Sequence, residues 1–245
     1  MLQNLYLFAS SFLAFFIKGI TGFGNTLVLG SLFSFAVPNR ITTPVDLLFS
    51  IPTNLFVVWR ERKNVSLKVV VPLSLMLLAG IIPGTLLLKT GDDWVLRASM
   101  GLVITGLAVE MLLRKPPHAE AKKANPLFLV SIGVLSGVLA GMFGIGALLI
   151  SYISRSAENK SQFRANICCV FLVDNLFRLF LYWYTGLLTK EVLLTALCLS
   201  PAVALGMLAG IKADRRMNEK AVKNTVILLL LVSGITLVIK STLFR

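Results

Sequence analysis

Charge is scarce in this chain. Only 14% of its 245 residues are charged, 56% are hydrophobic, and the mean hydropathy is +0.84. A soluble domain of this length needs far more charge to cover its surface, so a soluble fold is excluded. There is one histidine, His118, in a polar stretch, which argues against a histidine metal or proton site. The three cysteines, Cys168, Cys169 and Cys198, sit in apolar windows with no CxxC spacing and read as free thiols. No GxxxxGK[ST] or HExxH element occurs, and no Ser/His/Asp set can be built around one loop histidine. The expectation is therefore a protein that is not an enzyme and carries neither cofactor nor metal. The segment from Leu2 to Val37 has no basic lead-in and no small-residue cleavage pattern, so it is expected to belong to the fold.

What the chain does have is long apolar runs. Residues 127–154, 192–211 and 224–239 contain no charge, and roughly 20 apolar residues suffice to cross about 30 Å of hydrocarbon. The fold class implied is an all-α polytopic membrane protein. A net charge of +13 would fit a nucleic-acid partner, but its distribution does not. Sixteen of the 24 Lys and Arg residues fall in four short stretches, Arg60–Lys68, Arg114–Lys123, Arg155–Arg164 and Lys212–Lys223. Such clustering follows the positive-inside rule, with membrane lipid headgroups as the partner and no nucleic acid.

Placing those four stretches in the cytoplasm sets a topology. Spans are expected over about 42–59, 67–88, 94–113, 165–185, 189–211 and 222–240. Residues 127–154 begin and end beside cytoplasmic loops and must cross an even number of times. Twenty-eight residues are too few for two full spans at 1.5 Å per residue, so a re-entrant hairpin with its tip at 140–147 is expected. Residues 2–37 have the same form: two short arms around "KGITGFGN", entering from the outside. A broken spanning helix is the competing reading for both.

The two tips align. Gly19, Gly22 and Gly24 lie over Gly141, Gly144 and Gly146 at a spacing of 122. Asn54-Leu55-Phe56 lies over Asn175-Leu176-Phe177, and Gly80 and Gly84 correspond to Gly206 and Gly210. Three matches in order make a duplication, with repeats at 1–113 and 127–245 joined by a cytoplasmic linker at 114–126. Each half holds one hairpin and three spans, an odd count that inverts the second copy. Inverted repeats with interrupted helices at matching positions are the pattern of secondary transporters.

The paired elements GITGFGN and GMFGIGA, with an early proline after the first, resemble the TauE/SafE sulfite exporter family, also called the toluene sulfonate uptake permeases. The resemblance covers essentially the whole chain. Members often carry a further glycine after GxG, where this chain has Asn25 and Ala147. The resemblance implies transport of small sulfur-containing anions such as sulfite and sulfonates across the bacterial inner membrane.

Candidate substrate-binding residues cluster at the tips. Thr21, Gly22, Phe23, Gly24 and Asn25 lead into one returning helix, and Phe143, Gly144, Ile145 and Gly146 lead into the other. Glycine allows close ligand approach, and helix N-termini attract anions; tight helix packing is the structural alternative. Lys18 is a charge at membrane depth, which costs roughly 3 kcal/mol and usually faces a cavity; it either attracts an anion or snorkels outward. Asn54 and Asn175 can bond an oxyanion or join helices. Asp174 and Arg178, four apart, can pair or serve transport. Asp46 and Asp174 are the candidates for proton coupling, although Asp46 also suits an interfacial helix start. The aromatics Trp59, Trp94 and Tyr182-Trp183-Tyr184 read as interface anchors. The partner expected is a small anionic substrate moved by alternating access, with a homodimer left open. An anion channel, or a membrane subunit of a larger complex, is the alternative.

Overall fold

The structure, a computed structural model, describes residues 2–113, 126–146, 153, 159–214 and 219–243. Among these residues it is all helix, with no strand. The α-helices, in chain order, are α1 (Leu2–Thr21), α2 (Asn25–Phe33), α3 (Asn39–Arg60), α4 (Leu67–Thr90), α5 (Asp93–Leu113), α6 (Pro126–Phe143), α7 (Lys160–Thr185), α8 (Lys190–Asp214) and α9 (Glu219–Leu243). Six of them are long and apolar enough to cross a membrane: α1, α3, α4, α5, α7 and α8. The chain is an integral, multi-pass membrane protein. The basic stretches at 114–123 and 155–158, the linker at 114–125, Ala147, and the returning arm of the second hairpin apart from Ile153 lie outside the described residues.

The first hairpin forms, with unequal arms. Its outgoing arm α1 runs 20 residues and its returning arm α2 only nine, where two short arms were expected. Reversal is shown by the far ends: the Tyr6 hydroxyl donates to Leu32 O at 2.8 Å, and the Gln3 amide donates to Ala36 O at 3.3 Å. Helix α1 continues through Lys18 and Gly19 because both are packed. A Cβ added at Gly19 would lie 2.6 Å from Met207 O and 2.8 Å from the Gly210 Cα, so α1 and α8 touch backbone to backbone. The break comes only at Gly22, which adopts φ 86° while its N–H bonds Lys18 O at 2.7 Å. That left-handed C-terminal cap needs a residue without a Cβ.

Helix α6 ends the same way. Gly144 has φ 75° and its N–H bonds Ala140 O at 2.8 Å, 122 residues after the first cap. A Cβ added at Gly141 would lie 2.5 Å from Ile81 O on α4, as one at Gly19 meets α8.

The chain divides into two compact units: one of residues 1–49, 90–114 and 188–245, the other of 50–89 and 115–187. The first contains α1, α2, the first half of α3, α5, α8 and α9. Besides the α1–α8 contact it joins α5 to α9, where a Cβ at Gly101 would lie 2.9 Å from Gly234 O. The second contains the rest of α3, α4, α6 and α7, with α4 and α6 in contact through Gly80, Gly84, Gly137 and Gly141.

Three local contacts each join segments to which loop charge assigns one side. Arg40, opening α3, donates to Gly91 O in the α4–α5 turn at 2.5 Å. The Lys240 ammonium near the end of α9 lies 5.8 Å from the Phe35 ring centre. Both pairs join segments expected on the outer side. Between segments expected on the inner side, the Ser66 N–H donates to Asn166 Oδ1 at 2.7 Å, tying the start of α4 to α7.

Candidate functional site

Each tip is built within one unit. In the first, α1 delivers Lys18 and Thr21, the break delivers Gly22, Phe23 and Gly24, and α2 starts at Asn25. Gly24, at φ 88°, precedes α2 and gives it no side-chain cap. The Thr21 hydroxyl instead staples the break, 2.9 Å from Ile17 O and 2.6 Å from Phe23 O.

The first turn of α2 is held by Asp46. Its carboxylate accepts the Asn25 amide at 2.8 Å on Oδ1 and the Thr26 hydroxyl at 2.6 Å on Oδ2. Asp46 is 2% exposed, buried within the protein. A carboxylate beside the positive end of a helix is favoured twice, by the dipole and by charge-assisted hydrogen bonds. The side chains of Asn25 and Thr26 are thus engaged by an internal anion. Thr26 had no part in the sequence expectations; its signal was a polar pair, Asn25-Thr26, opening an apolar helix.

Lys18 lies in the last turn of α1, only 1% exposed, with its ammonium 5.7 Å from the Phe15 ring centre. It does not snorkel to the surface. A cation over an aromatic face gains stabilisation that grows on desolvation.

In the second unit, Phe143 closes α6 and Gly144 carries the left-handed turn; Ile145 and Gly146 follow, buried. The Arg178 guanidinium, 1% exposed, pairs with Asp174 at 3.3 Å, donates to Ala140 O at 2.7 Å and to Asn175 Oδ1 at 2.6 Å. The Tyr182 hydroxyl donates to Gly141 O at 2.8 Å. Tyr182, expected as an interface anchor, is fully buried, unlike its neighbours Trp183 at 70% and Tyr184 at 79% exposure. Helix α7 thereby caps the last carbonyls of α6, whose negative end a guanidinium suits. Asn54 is buried on the second half of α3. The structure therefore gathers Lys18, Thr21–Asn25 and Asp46 in one unit, and Asn54, Phe143–Gly146, Asp174, Asn175 and Arg178 in the other.

Buried ionic groups beside interrupted helices in an integral membrane protein are a feature of membrane transporters. The family model for the sulfite exporter TauE/SafE matches residues 7–237, and the chain belongs to this family, whose members are membrane transporters of sulfur-containing anions. No curated protein and no solved structure matches it.

Proposed function

We propose that this chain is a secondary transporter, not an enzyme, that moves a small anion across the bacterial inner membrane by alternating access. The anion is sulfite, a sulfonate or a related organosulfur anion. The observation that carries the reading is Lys18: a lysine buried in the last turn of α1, four residues before the helix breaks at Gly22. A buried cation is costly at this depth and is retained where it serves an ion path. The two halves support inverted repeats. The left-handed caps at Gly22 and Gly144, and the backbone contacts of Gly19 and Gly141, recur at the same spacing of 122. Inverted repeats with broken helices are the architecture of carriers.

The test is flux into proteoliposomes holding the purified chain, with sulfite, sulfonates and carboxylates, with and without a pH gradient. Saturable uptake accelerated by unlabelled substrate on the far side is the expected result. Uptake without such acceleration would indicate a pore. Flux that needs a further protein would indicate a subunit of a complex.

A further inference from the structure

The face of α7 that meets the second tip is defined by four residues, Phe171, Asn175, Arg178 and Tyr182, spaced to form one stripe along the helix. The Phe171 ring fills the space beside Gly146, its Cε1 2.5 Å from where a Cβ would stand. Arg178 and Tyr182 donate to Ala140 O and Gly141 O. Asn175 lies on the same stripe, between the residue that touches Gly146 and the one that touches Ala140.

The orientation of the Asn175 amide is fixed. A guanidinium can only donate, so the atom facing Arg178 at 2.6 Å is the amide oxygen. The Nδ2 group is turned elsewhere. It is buried, in a residue 2% exposed, and has no hydrogen-bond partner. Buried polar groups are nearly always satisfied, and an exception calls for a ligand or a functional reason. With its acceptor occupied internally, Asn175 offers two N–H donors and nothing else.

We propose that Asn175 Nδ2 is a substrate-binding donor at the second tip that takes an oxygen of the transported oxyanion. Arg178 then acts on the amide as a positioning residue. Its charge is already matched by Asp174, and one of its donors is spent on Ala140 O. This assignment rests on the transporter reading above and sharpens it: the second tip recognises acceptor oxygens, as sulfite and sulfonates present, and gives nothing to a group that presents only donors.

The test uses the purified full chain in proteoliposomes with radiolabelled sulfite, reading KM and the maximal rate, and thermal unfolding in detergent for every variant. Asn175→Asp keeps an acceptor for Arg178 and removes the donor; Asn175→Leu removes both at similar volume; Asn175→Ser keeps a hydroxyl donor. The expected result is a KM raised at least tenfold for Asp and Leu and less for Ser. Arg178→Lys is expected to lower the unfolding temperature. A folded Asp or Leu variant with the wild-type KM overturns the assignment alone. Failure of all three Asn175 variants to fold assigns the amide to packing and also overturns it. A wild-type chain that moves no sulfite overturns the functional reading, and this one with it.

Discussion

At the first tip, Gly22 turns left-handed and bonds Lys18 O; at the second, Gly144 does the same with Ala140 O. Gly19 and Gly141 bring the preceding helices against a neighbour's backbone alike. The polar groups around these matched frames differ. At Gly22 a carboxylate, Asp46, engages the side chains that open the returning helix, and a lysine is buried one turn before the break. At Gly144 a guanidinium and a phenol satisfy the carbonyls that end the outgoing helix, and an amide donor is left over. The same backbone device occurs at both tips, with different polar groups around it. Helix ends leave unsatisfied groups of opposite sign, N–H at the start and C=O at the finish. Asp46 engages side chains at the start of α2, and Arg178 and Tyr182 engage carbonyls at the end of α6.

The comparison breaks most sharply at Arg178. Arg178→Met leaves Asp174 buried without this cation and removes one of two hydrogen bonds to Ala140 O, a loss of about 3–5 kcal/mol. Thermal unfolding in detergent is expected to show a large drop; a variant as stable as wild type would contradict the capping role. Next come the matched contacts. Gly84→Val and Gly210→Val each place a side chain against a helix backbone, at a cost of about 1–3 kcal/mol by overpacking. Similar losses of unfolding temperature are expected from the two, and a loss confined to one would separate the halves. Asp46→Asn weakens the charge-assisted bonds at the first tip, with about 1.5–3 kcal/mol expected from hydrogen bonds to a charged group. Tyr182→Phe removes a single neutral donor from Gly141 O, an effect of about 1 kcal/mol in the same assay.

Much of the frame was legible in the sequence, because membrane spans and loop charges are written in composition. Helices α4 and α5 fall within two residues of their expected limits, since their ends coincide with polar loops. Helix α7 starts at Lys160, five residues before its expected start, because the Asn159 side chain accepts the Gln162 N–H as an N-cap. Its polar first turn carries no apolar signal, but the Asn-x-x-Gln spacing was a cue to the cap. The arms of the first hairpin were misjudged because Lys18 and Gly19 look like breakers in a row of residues. Contacts from Phe15 and α8 keep both helical. The position of the tips was readable from glycine. Which side chains answer them was not, because Asp46 meets Asn25 across 21 residues and Arg178 meets Ala140 across 38. Tyr182 was hidden among aromatics that face outward, and only its spacing of four from Arg178 distinguished it.

Lys18 is the residue proposed to act on the anion at the first tip. The most direct measurement is sulfite counterflow in proteoliposomes with the wild-type chain and with Lys18→Ala at equal insertion. Trans-stimulated uptake is expected from the wild type, and the variant is expected to insert and fold but take up sulfite at least tenfold more weakly, as losing a contact of about 1.5–3 kcal/mol requires. Equal counterflow from both chains would contradict it.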